Sequence, residues 1–562
     1  MSKHAKRMRG CDVLKIMETM SDTDTDDDDD DDDNGDGNSD LEPSADLPSE
    51  TEDHVSNAES FHSSSDDDSS ATDGLAARSV QPQQGRGRTR GRGKGRGRGR
   101  GRGHLEDGHN VQDAPVHWTS KSGRSWASQP PAVYRRGVEN IIRCKPGVTA
   151  EARIQTQTEA FILLMTPEII AIIVRETNRY ASTCYESWNS RHPDNEKQWC
   201  PLSDIELKAF IGLLILAGVC RAKHEPLQDL WSPEWGRPLS AGVMSINRFK
   251  AILQFLRFDN KNTREVRRAT DKLAAIRDVW QMFVSNLQKM VVPGSDITVD
   301  EQLVPFRGRS PFRQYIPSKP AKYGIKIWWA CDAQTSYPLK GDIYLGRQPD
   351  DQRAVNLGSS VVTTLTNPWL HAGRNIVMDN FFTSVPLANE LLGKHTTLVG
   401  TIRSNKADIP EELKVKSGRP EKSTLFAYDD KLTLVSYIPR KGKNVMLLST
   451  MHHDDKVEGE DRKPEIILHY NSSKGGVDNM DKLVGTFSCR RKTNRWPMTV
   501  FFNMIDVAGV QHLSSGSTTI QKCVQLEYGG SSCWHSVKIW STNKYNCVCR
   551  TPEHYKRMLS RL

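Results

Sequence analysis

The sequence has no long apolar run. Its longest stretches, such as 210–219, fall well short of the roughly 20 residues a membrane-crossing helix needs. The start, Met1-Ser2-Lys3-His4-Ala5-Lys6-Arg7, lacks the apolar core of a secretory signal. An intracellular, soluble chain with no membrane partner is expected. There are only 11 cysteines in 562 residues, which do not make a disulfide scaffold. Cys144, Cys184, Cys200, Cys220, Cys331 and Cys489 are scattered and read as reduced, space-filling thiols. Only 36% of the chain is hydrophobic and 26% is charged, too polar a mixture for one continuous globule.

Lysine and arginine are absent from residues 21–73, which hold 22 Asp/Glu, including an unbroken aspartate run over 26–33. Residues 85–103 then carry nine Arg/Lys, separated mainly by glycine. The remainder, 104–562, has 62 Lys/Arg against 46 Asp/Glu. Like-charged and Gly-rich sequence offers too few apolar anchors to offset chain entropy, so 1–130 is expected to stay disordered. The Arg-Gly segment can meet phosphates non-specifically, or serve as an import signal or linker. A basic body behind an acidic tail points to an anionic polymer as partner.

Order is expected from about residue 155. Thr166-Pro167 opens a helix in which Ile169, Ile170, Ile173 and Val174 recur at helical spacing. Ser203-Asp204-Ile205-Glu206 reads as a capping box, and 246–258 and 273–291 as further amphipathic helices. Strand patterns follow at 297–300, 323–332, 337–345, 375–378, 398–402, 432–438 and 445–449. A last strand is expected over 466–470. Strands mixed with helices argue for an α/β fold.

Asp300 and Asp379 each close a predicted strand, and Asp478 opens a helix after a third. Carboxylates so placed converge at one rim of a sheet, where they can hold hard cations for phosphoryl transfer. An aspartate at a strand end is also an ordinary turn or cap residue, and spacing alone does not decide between these. Asp481 lies three residues after Asp478, on the same helical face.

Longer motifs surround these positions. Thr298-Val299-Asp300-Glu301-Gln302-Leu303 is followed by Pro305-Phe306-Arg307-Gly308-Arg309, then Tyr315-Ile316-Pro317-Ser318-Lys319-Pro320 and Lys322-Tyr323-Gly324-Ile325-Lys326. Met378-Asp379-Asn380-Phe381-Phe382-Thr383-Ser384 comes next, and then Lys474-Gly475-Gly476-Val477-Asp478-Asn479-Met480-Asp481. Arg491-Lys492-Thr493-Asn494-Arg495-Trp496-Pro497 closes the series. In content and order these blocks resemble the piggyBac transposases, roughly over 155–510.

The resemblance implies an RNase H-like catalytic domain with a β-rich insertion, flanked by a mostly helical dimerisation and DNA-binding domain. Its boundaries would be 150–294 and 487–515 for the helical domain, 295–402 and 464–486 for the catalytic domain, and 403–463 for the insertion. It implies Asp300, Asp379 and Asp478 as catalytic aspartates holding Mg²⁺ (or Mn²⁺), with Asp481 as an added ligand. It also implies double-stranded DNA as partner (transposon ends and TTAA targets), a homodimer and a nuclear location. Arg307, Arg309, Lys319, Lys322, Lys326, Arg403, Lys406, Arg491, Lys492 and Arg495 are candidate phosphate contacts. Trp496 is a candidate base-stacking residue or a buried core tryptophan. A transposase-derived DNA-binding protein without transposition activity is the alternative.

The tail over 516–562 departs from the family's cysteine-rich, zinc-binding end. Cys523, Cys533, His535, Cys547, Cys549 and His554 lack paired knuckles, Cys547-Val548-Cys549 being C-x-C, so zinc is not expected there.

Overall fold

A change of hydrophobic period near residue 293 separates a helical first part from a sheet. The computed structural model describes residues 116–131, 141–152, 157–234, 236–346 and 356–514, all in one compact unit. The acidic and Arg-Gly segments and the cysteines after residue 515 lie outside the described residues. No described helix is long and apolar enough to cross a membrane.

The described chain opens with a hairpin, β1 (His117–Thr119) and β2 (Ser125–Ala127), followed by β3 (Gly147–Val148). The helices are α1 (Gln157–Leu164), α2 (Pro167–Arg191), α3 (Asp204–Val219), α4 (Leu227–Leu230), α5 (Pro238–Val243), α6 (Ile246–Phe255), α7 (Lys261–Arg268) and α8 (Arg277–Met290). Ser203 caps α3 by accepting the Glu206 N–H at 3.2 Å. The other half of the expected capping box is spent elsewhere, because both Glu206 oxygens accept from Arg248 at 2.6 Å. The helix expected over 273–291 starts at Arg277. Asp271 accepts the Leu273 N–H and clamps the Arg277 guanidinium, holding 271–276 as turn.

After β4 (Val291–Val292), which pairs with β3, come β5 (Asp296–Pro305), β6 (Arg313–Tyr315), β7 (Tyr323–Asp332), β8 (Pro338–Ile343), α9 (Leu357–Thr366), β9 (Asn375–Met378), α10 (Val385–Gly393) and β10 (Thr397–Thr401). A further run follows: α11 (Glu411–Lys414), β11 (Thr424–Asp429), β12 (Leu432–Arg440) and β13 (Lys443–Ser449). The chain ends its described course with α12 (Glu465–Ser473), α13 (Gly476–Thr486) and α14 (Trp496–Ser514). One mixed sheet of 11 strands results. At its centre β8, β7 and β5 are antiparallel neighbours, and β9 and β10 continue from β5 in parallel. The remaining edge of β7 pairs with β6. Beyond β10 the sheet runs on through β13, β12 and β11, so residues 424–449 extend the central sheet without a break.

Three expectations need correction. Residues 466–470 are helical: Pro464 caps α12, and Ile466, Ile467 and Tyr470 pack as one helical face on Val399, Val435, Tyr437 and Leu447. A five-residue apolar run has no decisive period, and tertiary packing settles it. Asp300 lies in the middle of β5, which continues to Pro305 by pairing with β7. Within the supposedly disordered 1–130, residues 117–127 form the β1–β2 hairpin, which adds to β11 through Ala127 and Tyr428. Trp126 anchors it, fully buried, with its indole N–H on the Asp408 carbonyl at 3.0 Å. Arg124–Asp429 and Lys121–Glu411 ion pairs flank it.

Helix α14 joins the helices to the sheet, touching α1, α3, α13 and β5. Phe501 packs against Phe258 at 4.8 Å. Trp280 of α8 meets Trp329 of β7 edge to face at 5.9 Å. Asp506 is buried on α14, accepting the Cys489 N–H and the Ser488 hydroxyl, each at 2.7 Å. Burial raises its carboxyl to about 6, against the lowering effect of those donors.

A folded value above the unfolded one means that the native state binds the extra proton. Asp506 therefore stabilises the fold fully below about pH 4, and this contribution is lost as pH rises through about 6. An Asp506→Asn variant should lack that slope. Relative to it, the parent should lose about 2 kcal/mol between pH 4 and 6.5, read from denaturation midpoints at each pH. Identical pH profiles would refute the assignment.

Candidate active site

Three elements bring the predicted aspartates together: the middle of β5 (Asp300), the end of β9 (Asp379) and the first turn of α13 (Asp478). The parallel pairing of β5 and β9 sets Val299 opposite Met378, which places Asp300 and Asp379 one step on from neighbouring positions. The α13 end reaches them because Gly476 lies against Thr298 of β5. A Cβ there would sit 2.8 Å from the Thr298 hydroxyl, which itself donates to the Ser473 carbonyl at 2.7 Å. Any side chain at 476 would push Asp478 away from the sheet, which accounts physically for glycine in that motif.

Asp300 and Asp379 are half-buried, whereas Asp478 stands exposed on the rim. Burial, then the fields of Asp379 and Asp478, push the Asp300 carboxyl well above the usual carboxylate range. Asp379 is raised too, mainly by burial and further by Glu301, against the Phe381 N–H and Arg403. The Asp300 carboxylate accepts the Glu301 N–H at 2.8 Å and the Asp379 carboxylate the Phe381 N–H at 2.9 Å. Among the described residues, no three Asp, Glu, His or Cys are drawn into a ready-made cation cage. The donor chemistry nevertheless fits a hard divalent cation: oxygen ligands only, one of them on an open rim, and like charges whose crowding a cation would relieve.

Lys319 is the cation whose field acts on Asp300. Burial pulls its ammonium down, but Asp300, Glu301, Asp478 and Asp481 more than offset this, and the net shift is upward. It donates to the Glu301 carbonyl at 3.3 Å. Lys326 is buried, pairs with Glu301 at 2.8 Å and lies 5.2 Å from the Phe381 ring centre. Both lysines thus serve the site from inside. Arg403 donates to Asn380 at 3.2 Å and acts on Asp379. Arg307, Arg309, Lys322 and Lys492 are exposed, and Lys406 is half-buried.

Arg491 and Arg495 are corrections, since both guanidiniums turn inward onto backbone carbonyls, Arg491 through Nη1 alone with its Nε and Nη2 buried and unbonded. Arg491 is buried and donates to Ala222 and Glu225, both at 2.9 Å. Arg495 donates to Gln254 at 2.9 Å and to Leu256. They lock the 487–496 segment onto the helical part, and nothing in the sequence separates a carbonyl-caging arginine from a phosphate-binding one. Trp496 is half-buried, edge to face with Phe312 at 5.0 Å, so its core role accounts for its packing.

Asp481 likewise has a partner other than a metal. The Gln302 amide N–H donates to Asp481 at 2.8 Å and to Asn503 at 3.2 Å. Its carbonyl accepts from Asn503 at 3.1 Å and from the Trp329 indole at 2.9 Å. This saturated, buried amide ties β5, β7, α13 and α14 together beneath the aspartates. Gln302 and Tyr470 were missed as site residues. The Tyr470 phenol is raised by burial, bonds Thr401 and lies in the field of Asp379, Asp300 and Asp478. Alternation along 298–303 would have shown that Gln302 faces the core, while Tyr470 was hidden by the mistaken strand.

If Asp481 holds α13 through Gln302, Asp481→Asn should keep the acceptor and leave Mn²⁺ affinity within a few-fold of the parent. Gln302→Leu should remove the partner of Asp481, Asn503 and Trp329 and lower stability by about 2–4 kcal/mol. Loss of Mn²⁺ affinity in Asp481→Asn at unchanged stability would instead make Asp481 a ligand.

Comparison with known proteins adds to this geometry. The family model described as Transposase IS4 matches residues 156–510. Human piggyBac transposable element-derived protein 3 is 25% identical over 373 residues, covering 62% of this chain and 60% of its own. Human piggyBac transposable element-derived protein 2 is 25% identical over 369 residues, covering 62% and 59%. The chain thus spans about 60% of the length of these relatives. A cryo-EM structure of a piggyBac transposase synaptic complex with hairpin DNA is similar at TM-score 0.66 and 34% identity, covering 74% of this chain and 87% of that one.

Proposed function

Because the chain belongs to the piggyBac-type transposase family, we propose that it cuts and joins DNA at an Asp300–Asp379–Asp478 site. The observation that carries this reading is that Asp379 of β9 and Asp478 of α13 both act on Asp300 of β5, so three carboxylates from separate elements meet at one place. The antiparallel β8-β7-β5 set with parallel β9 and β10 supports an RNase H-like catalytic domain. In this reading, α1–α8 and α14 supply the flanking dimerisation and DNA-binding domain.

Asp300, Asp379 and Asp478 would hold Mg²⁺ or Mn²⁺. When bound, such a cation lowers the pKa of an attacking water or hydroxyl and neutralises charge at the scissile phosphate. The chain's own residues do the rest. Asp300 and Asp379, raised when alone, are the groups whose ionisation binding would favour. Lys319 sets a fixed positive charge beside them, suited to a phosphate oxygen. Arg403, held by Asn380, and the exposed Arg307, Arg309, Lys322 and Lys492 would grip the backbone on either side. Double-stranded transposon ends and TTAA targets are the substrates, a homodimer the assembly and the nucleus the location in this proposal. The second reading, a DNA-binding protein without transposition, uses the same basic surface and needs no convergence of Asp478 with the other two.

Purified full-length chain with Mg²⁺ should nick a TTAA-flanked DNA end, and Asp300→Asn should lower the rate at least about 10³-fold while binding stays intact. Binding without cleavage in the parent would favour the second reading.

A further inference from the structure

The hairpin that carries Lys319 into the acidic centre has an unusual stem. Its strands, β6 and β7, place Tyr315 directly opposite Tyr323 in antiparallel register. Both side chains stand out into solvent, 55% and 37% exposed. Their ring centres lie 4.7 Å apart at 39°. Two guanidiniums bracket the pair: Arg313 lies 5.5 Å and Arg307 6.0 Å from the Tyr323 ring centre. Arg313 is itself braced on the Arg307 and Gly308 carbonyls, both at 3.0 Å. Lys322 is exposed beside them.

Two exposed aromatic side chains on this hairpin, one of them on the edge strand β6, are a solubility liability, and edge strands ordinarily carry charge or proline instead. Here the aromatics come with cations on the same face and no acidic residue between 302 and 331. That composition suits a polyanion bearing flat apolar faces, which describes a nucleic-acid strand whose bases are unpaired. A duplex would offer the phosphates but keep its base faces stacked inside. Tyr315 and Tyr323 each lie four residues from Lys319, so their Cα atoms are at most about 14 Å from its own. That is about four nucleotides of strand at ~3.4 Å each.

We propose that Tyr315 and Tyr323 form a stacking platform for unpaired bases of a DNA strand whose phosphate reaches the aspartate centre, with Arg307, Arg313 and Lys322 holding its backbone. This rests on the function proposed above and assigns where the separated strand goes when an end is opened.

The test compares the full chain's affinity for a blunt duplex and for the same duplex with a four-nucleotide unpaired extension, by fluorescence anisotropy at fixed salt. Tyr315→Ala and Tyr323→Ala should each weaken binding to the extended DNA about tenfold, the loss of one base–aromatic stack, with the blunt duplex unchanged. Tyr→Phe at either position should restore it. In the unmodified chain, 5-iodouracil in the extension should photo-crosslink to the 313–323 peptide, a readout needing no variant. Equal losses on both DNAs, no loss on either, crosslinks only elsewhere, or tyrosine dependence seen with RNA and not DNA would each overturn the platform. Aspartate-dependent cleavage persisting through those results would leave the proposed function standing, whereas no DNA binding by the unmodified chain would remove both.

Discussion

Bringing three carboxylates to one rim of the sheet is the constraint on which the rest of this structure depends. Burial holds Asp300 and Asp379 above their ordinary range, with the fields of Asp379 and Asp478 adding to it at Asp300 and that of Glu301 adding to it at Asp379. No local preference would assemble such a group. It persists because β5, β9 and α13 are fixed by contacts the aspartates do not make: the ladder between β5 and β9, the close approach at Gly476, and the burial of Val477, Met480 and Val484.

The Gln302 amide explains how that fixation is transmitted. It satisfies every hydrogen-bonding group it carries and joins four elements, two of them in the sheet and two above it. A saturated buried network of this kind specifies one packing among several of similar hydrophobic content. Helix α14 then carries the same register outward into α1 and α3, so the helical part and the sheet share one apolar core. Arg491 and Arg495 serve the same end, tying the chain before α14 to helical carbonyls.

Around this rigid centre the charges fall into two sets. Lys319 and Lys326 point inward, compensating Glu301 and the aspartates. Arg307, Arg309, Lys322 and Lys492 stay outside. The hairpin of β6 and β7 contributes to both sets, with Lys319 at its turn and an arginine-flanked tyrosine pair on its stem. An edge that would otherwise invite strand addition is thereby given a charged, aromatic surface beside the reactive groups.

Much of this was legible in the chain itself. Helix starts at Pro167 and Ser203, the paired strands around 323–345 and the three aspartates are local matters of capping, period and motif order. Such features depend on neighbours in sequence, and sequence displays them directly. The tertiary structure alone decided the rest. It made 466–470 a helix, because that face had a sheet to cover, and it drew the hairpin at 117–127 onto β11 through Trp126. It gave Asp481 the Gln302 amide as a partner, and gave Arg491 and Arg495 helical carbonyls to hold. In each case a side chain with several chemically equivalent uses had its use chosen by a partner distant in the chain, and that choice leaves no mark on local pattern.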